Sequence, residues 1–285
     1  MRSRTVHLLF CLCVSIGQIR CDAQPRGTDA PAGSDSDTAP EVVDAATTVD
    51  RSPPEPCADL PDLTGRVYRV TDFVATAPTD GINPTWKKWA EVYDLVMLFR
   101  ILEHDRAAGR IEAMVACGGA EVSMGRDGVP RPERLYYGLP PTPISFALVG
   151  CDLTFTVPLD IHLFTPWVSG EIPIQEVTGY GVLAEDGAVL ERLDLSGFLS
   201  EATAAAICID IAGLGVVNLH WFFNLAGICP DTDTDGDDVL DAYNFLGWVR
   251  AVDETALFDD AVTPIVSLVP ECVPHEDPCV VPSGD

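Results

Sequence analysis

Arg110-Ile111-Glu112-Ala113-Met114-Val115-Ala116-Cys117 alternates residue by residue, placing Ile111, Ala113, Val115 and Cys117 on one face and Arg110, Glu112, Met114 and Ala116 on the other. Side chains of an extended chain point to opposite sides with period two, so this stretch predicts a strand with one face in a core. Similar patterns flank it. Arg66 to Ala75 interleaves Val67, Tyr68, Val70, Phe73 and Val74 with polar residues; Ile144 to Val157 and Leu159 to Thr165 are separated by Pro158; Glu171 to Leu183 is a weaker example. Several short strands punctuated by Gly and Pro predict a mainly β fold, an antiparallel β-sandwich or barrel-like domain with one or two inserted helices.

Two segments read as helical. Asn83-Pro84 has the form of a helix start, Asn as cap and Pro in the first turn, and Trp86, Trp89, Ala90 and Tyr93 follow at helical spacing. This aromatic stripe predicts core packing. Whether residues 92–102 continue the helix or form a buried strand is left open by the period alone. The second helix begins near Ser200-Glu201 and runs to Ile211. From Ala202 to Ile228 the only formal charge is Asp210, but Gly213 and Gly215 interrupt the stretch and no flanking Lys or Arg orients it. A helix followed by a buried strand or second helix fits better than a membrane span.

The chain has 285 residues, with 17 Lys and Arg against 44 Asp and Glu, a net charge of −27. A surface so acidic repels phosphate, which excludes nucleic acid as a partner and disfavours anionic membranes. Arg2 and Arg4 precede the apolar run Val6 to Ile16, too short to span a bilayer but suited to an export signal over residues 1–21. The cut falls after Gly17 or Ala23, or Cys21 becomes a lipidated first residue despite Arg20 before it. Membrane contact would come only through such an anchor. Residues 22–56 are acidic and Pro-rich with no apolar period, predicting an extended, disordered linker. A globular domain spans 57–270, and a Cys/Pro-rich tail spans 271–285. The expected location is outside the cytoplasm: secreted, periplasmic or at the cell surface.

Asp231, Asp233, Asp235, Asp237, Asp238 and Asp241 crowd six carboxylates into eleven residues. Their mutual repulsion calls for a cation. From Asp233, the run Asp-Thr-Asp-Gly-Asp-Asp-Val-Leu-Asp-Ala-Tyr-Asn resembles an EF-hand calcium loop and the aspartate-rich repeats of thrombospondin type 3. The resemblance covers residues 231–244 only. It implies calcium held by Asp233, Asp235, Asp237, the carbonyl of Val239, Asp241 and Asn244 at loop positions one, three, five, seven, nine and twelve. Asp238 replaces the sixth-position Gly, which a left-handed Asp tolerates. Asn244 replaces the bidentate Glu and removes an oxygen and a charge. A register from Asp231 would place Gly236 sixth but Ala242 twelfth, so Asp233 is preferred. Pro230 precedes the loop and no helix pair is evident, which predicts a stabilising site of the extracellular kind, with a dissociation constant on the order of 10⁻⁴ to 10⁻³ M. The overall layout also resembles uncharacterised secreted or surface lipoproteins of bacteria, a likeness that brings no activity with it.

In an oxidising compartment the cysteines predict disulfides: Cys117 with Cys151, Cys208 with Cys229, Cys272 with Cys279, and Cys57 with Cys21 or without a partner. Catalytic signals are weak. Glu121-Val122-Ser123-Met124-Gly125 lacks the first glycine of a nucleophile elbow. Asp160 and His162 share a strand face and could pair, although a structural or surface role is the plainer reading. His220 reads as a satisfied core histidine, and the Cys272, His275 and Cys279 spacing suits a local disulfide better than zinc. The expected function is a non-enzymatic binding or structural module, stabilised by calcium and disulfides, acting on a protein or small ligand at the cell surface. The alternatives are an extracellular hydrolase with a structural calcium, and a periplasmic carrier whose apolar ligand would meet Trp86, Trp89 and Trp221-Phe222-Phe223.

Overall fold

The computed structural model describes residues 60–211 and 215–269. The expected export signal, linker and tail lie outside the described residues, as do Cys21, Cys57, Cys272, His275 and Cys279. Along the chain come β1 (Val67–Ala77), α1 (Asn83–Glu91), β2 (Val96–Asp105), β3 (Arg110–Met124), β4 (Pro130–Tyr137), β5 (Thr142–Val149) and β6 (Asp152–Phe155). They are followed by β7 (Leu159–Phe164), β8 (Glu171–Leu183), β9 (Val189–Ser200), α2 (Glu201–Ala206), β10 (Cys208–Ile211), β11 (Gly215–Asn218), α3 (Leu219–Leu225), β12 (Ala242–Asp253) and β13 (Phe258–Val262).

Eight of these strands close on themselves. β1, β2, β3, β5, β6, β8, β9 and β12 pair antiparallel in that order, and β12 returns to β1. The order around the ring is the order along the chain, so the architecture is an up-and-down barrel, which leaves no free edge in the ring. Closure depends on β3. Its first half, Arg110 to Val115, pairs with β5, and its second half, Gly118 to Met124, leaves the ring to pair with β4. β13 adds to β4 in parallel, β7 pairs with β8, and β10 with β11 form a separate ribbon.

The predicted alternation of β3 is observed. Ile111, Ala113, Val115 and Cys117 are buried inside the barrel with Phe99, Phe146, Leu193 and Val249. Eight strands enclose just enough room for side chains or one small ligand. A second apolar cluster sits outside the wall, where Val67, Val96 and Leu98 pack under Leu135 and Tyr137 of β4. Each fully buried aliphatic or aromatic side chain contributes about 1.5–3 kcal/mol.

Both ends of the barrel are covered. At one, α1 lays Trp86 on Phe73, ring centroids 4.1 Å apart, and α3 places Phe223 against Tyr243 at 4.8 Å. The aromatic stripe is therefore packing. At the other end Leu63, fully buried, plugs the opening. Gly187 has φ +64°, and a Cβ there would stand 2.5 Å from a Leu63 methyl, so that turn is shaped for the plug.

Local corrections have simple causes. The N-cap of α1 is Ile82, while Asn83 bonds both the N–H and the carbonyl of Ala75, at 2.7 and 2.8 Å, and braces the helix against β1. The open stretch after α1 becomes strand β2 from Val96. Ile144 to Val157 is two strands with a turn at Gly150-Cys151. Ser200 caps α2 by accepting from Thr203 N–H, but the helix ends at Ala206 and Cys208 to Ile211 is strand, because β-branched and apolar residues there pair with β11.

The expected Cys117–Cys151 bridge is overturned. Cys117 is a buried free thiol. The β3–β5 register puts Cys151 beyond the Arg110 end of β3, whereas Cys117 lies seven residues along that strand, about 23 Å away. A disulfide needs Cα atoms within about 7 Å. Cys151, Cys208 and Cys229 are each partnered.

Candidate metal centre

The acidic loop hangs between α3 and β12 on a closed neck. Thr232 and Ala242 form an antiparallel bridge, Asp231 N–H donates to the Ala242 carbonyl, and Asp241 N–H donates to the Thr232 carbonyl. Side chains at the ends of the loop strengthen this neck. Asp231 Oδ1 accepts from Asn244 N–H at 2.7 Å, and the Asp241 carboxylate accepts from the Thr234 N–H and hydroxyl at 3.1 and 2.9 Å.

Within the neck, Asp233, Asp235 and Asp237 each bring one carboxylate oxygen to within 4.8 Å of the others, the one such grouping of His, Cys, Asp or Glu among the described residues. Asp233 is the most firmly set. Its Oδ1 accepts from Gly236 N–H at 2.7 Å and its Oδ2 from Asp238 N–H at 2.9 Å. These backbone donors, Gly236 first, hold its carboxyl below the ordinary range. Asp235 moves the other way. The strongest single influence is the hydrogen bond from Asp237 N–H, which lowers it, but repulsion from Asp237, Asp241 and Asp233 together with partial desolvation leaves its pKa raised. Asp238 has φ +67°, the left-handed conformation required at the sixth loop position, and Gly236 has φ +79°. Three converging carboxylates, Asp233 half-buried and Asp235 and Asp237 exposed, offer hard oxygen ligands of the kind that bind calcium or magnesium. Of the other residues predicted from the resemblance, Val239 is exposed, Asp241 is engaged by Thr234, and Asn244 lies at the start of β12. The loop follows a short helix and precedes a strand, so the local context is not that of a helix pair.

The weaker chemical signals resolve separately. Asp160 and His162 do not pair: Asp160 Oδ1 accepts from Glu176 N–H at 3.0 Å, while His162 Nδ1 lies 2.7 Å from Glu171 Oε2 on the neighbouring strand. Glu171 was missed because strand register, which brings it to β7, is not visible in sequence. That pair stands at the rim of a cavity of about 250 Å³ lined inside by Met97, Val115, Cys117 and Ile161. Burial pushes the Cys117 thiol up to about 12, and its Sγ donates to the His162 carbonyl at 3.2 Å and accepts from Phe164 N–H at 3.0 Å. Ser123 lies within β3, not on a strand-to-helix turn, and the adjacent Glu121 pairs with Arg134 at 2.8 Å, so the elbow reading fails. His220 is bonded at both ring nitrogens, to Tyr243 Oη at 2.7 Å and Asn224 at 2.9 Å, as a core histidine should be. No protein-family model, curated protein or solved structure matches the chain.

Proposed function

We propose that the protein is an exported, non-enzymatic β-barrel module, secreted or displayed at the cell surface, whose residues 231–244 bind calcium and whose role is binding or structural. The observation that carries this is the convergence of Asp233, Asp235 and Asp237 on a loop whose neck is already closed. Such a loop meets a cation with little ordering left to do, which favours binding. Calcium is preferred to magnesium because a flexible set of carboxylates and carbonyls suits its larger, variable shell, whereas magnesium demands near-octahedral geometry. The partnered state of Cys151, Cys208 and Cys229 supports disulfide stabilisation in an oxidising compartment. The apolar run near the first residues supports export, and the acidic linker supports a domain held away from an anchor.

Thermal unfolding of the full chain in calcium and in chelator tests the ion. At about tenfold saturation the site adds about 1.4 kcal/mol, or a rise of about 3–6 °C in the midpoint. Asp235→Ala abolishes that rise. Equal midpoints for the wild type in the two conditions sink the calcium reading.

A further inference from the structure

The outer wall of the barrel carries a trough of about 520 Å³ that has no part in the acidic loop. Its floor comes from β6, β8, β9 and β12, and its rim from the end of β1. On β9 the alternation turns Leu193 and Leu195 into the core and leaves Arg192, Asp194 and Ser196 outside. The register then fixes their neighbours. Asp194 stands opposite Trp248 of β12 on one side and Tyr180 of β8 on the other. Two rings on alternate strands are thus about 10 Å apart at their Cα atoms, with a carboxylate between them. One step along the strands a second row runs Thr178, Ser196 and Leu246, extended by Thr76, whose hydroxyl donates to the Leu246 carbonyl at 3.2 Å. Thr154, opposite Tyr180 on β6, closes the far side. A register shift between Ala75 and Ala77 bends β1 at the rim, as an extra residue in a strand does.

The chemistry of this trough is selective. Arg192 grips Asp194 through Nε and Nη2 at 2.8 and 2.6 Å, and its guanidinium lies 5.3 Å from the Trp248 ring centroid. The one acid and one base among these lining side chains therefore cancel, in a chain whose net charge is −27. Both remain substantially exposed, with side-chain accessibilities of 54% for Arg192 and 39% for Asp194, so donors and acceptors stand side by side at the surface. Tyr180 is oriented by a hydrogen bond from its hydroxyl to Asp152. A ligand matching these features is uncharged, rich in hydroxyls that both donate and accept, and has apolar C–H faces for the rings. The volume lies within the usual range for small-ligand sites.

We propose that this trough is a binding site for a neutral oligosaccharide, with Trp248 and Tyr180 as stacking platforms and with Asp194, Arg192 and the Thr178–Ser196 hydroxyls as hydrogen-bond partners. The spacing of the rings suits at least two linked sugar units. An anionic glycan is disfavoured by the acidic surroundings, and a flat protein partner by the concavity.

Calorimetric and saturation-transfer NMR titrations of the full chain with cellobiose, maltotriose and N,N′-diacetylchitobiose test this, with a heparin-derived tetrasaccharide as the anionic arm. Binding of at least one neutral saccharide is expected, weakened tenfold or more by Trp248→Ala and by Asp194→Asn. Binding persists in chelator, which separates it from the calcium reading. If Trp248→Ala does not fold, Trp248→Phe and Asp194→Asn decide, the first retaining part of the affinity and the second losing most of it. Absence of binding by all three neutral saccharides, binding of the heparin fragment alone, or unchanged affinity in both variants overturns the proposal. So does a dimer of the wild type, measured by light scattering, that Trp248→Phe or Asp194→Asn dissociates.

Discussion

His104 Nδ1 accepts a hydrogen bond from the backbone N–H of Leu63 at 3.2 Å, tying the side chain that plugs one end of the barrel to β2. The imidazole is 1% exposed, and only a neutral ring can accept there. Burial, then the nearby Arg106 charge, lower its pKa below the usual 6.5, while Asp62 and Asp105 oppose the shift. A depressed folded pKa means that the stability it supports is complete above 6.5, where both states are neutral. It falls as pH drops below 6.5 toward and through the folded value, because the unfolded chain takes up the proton first. The thermal midpoint should therefore decline between pH 7 and pH 5, and His104→Gln, which keeps an acceptor without titrating, should flatten that slope. An equal slope in the variant would show that the bond to Leu63 does not carry the effect.

Asp235 gives a prediction whose sign depends on the ion. Its carboxyl is raised by Asp237, Asp241 and Asp233 together, so without a cation its charged form disfavours the folded loop, and the stability it supports is complete only below the unfolded pKa of 3.8, where the group is protonated and neutral in both states. That contribution is lost as pH rises through the folded value. At neutral pH in chelator, Asp235→Asn should then melt above the wild type, and in calcium it should melt below it. Parallel shifts in the two conditions would mean that the residue acts through loop geometry rather than charge.

The alternation at 110–117 announced a strand, but not that the same strand continues to Met124 and changes partners on the way. Periodicity reports which face is buried; it carries no register, and register is what closes the ring through Arg110↔Ala147 and separates Cys117 from Cys151. β4 was not singled out because Pro130, Arg131, Pro132 and Arg134 break its apolar pattern, while its burial comes from Leu135 and Tyr137 packing outside the barrel. The acidic loop was legible because its spacing is local: Asp233, Asp235 and Asp237 meet through one turn of chain. The trough around Asp194 was not, since its residues come from five strands and meet only through pairing.

Cys117 should be inert in the folded protein. Its thiol is buried and raised to about 12, so almost no thiolate exists near pH 8 to attack a disulfide reagent. Labelling at this position, mapped by mass spectrometry, should appear only as the chain is unfolded in urea. Cys117→Ser should keep both hydrogen bonds. Cys117→Ala would leave Phe164 N–H buried without an acceptor, a loss of about 1–3 kcal/mol in urea unfolding. Rapid labelling under native conditions would contradict the packing around β7.

Among the described residues, Arg69 and Glu254 form the most enclosed ion pair with a bidentate geometry. Nε meets Oε2 at 2.8 Å and Nη2 meets Oε1 at 3.1 Å, with side chains 10% and 18% exposed. The guanidinium also lies 4.7 Å from the Tyr93 ring centroid, so the pair joins β1, the turn after α1 and the segment after β12. Removing one partner strands the other charge where water reaches it poorly. Glu254→Ala should therefore destabilise by about 3–5 kcal/mol in denaturant unfolding. The double variant Arg69→Met with Glu254→Leu should cost far less, because neither charge is left behind and the site is filled with apolar volume. If the double variant were as unstable as Glu254→Ala, the pair would matter for the shape of this junction rather than for its charge balance.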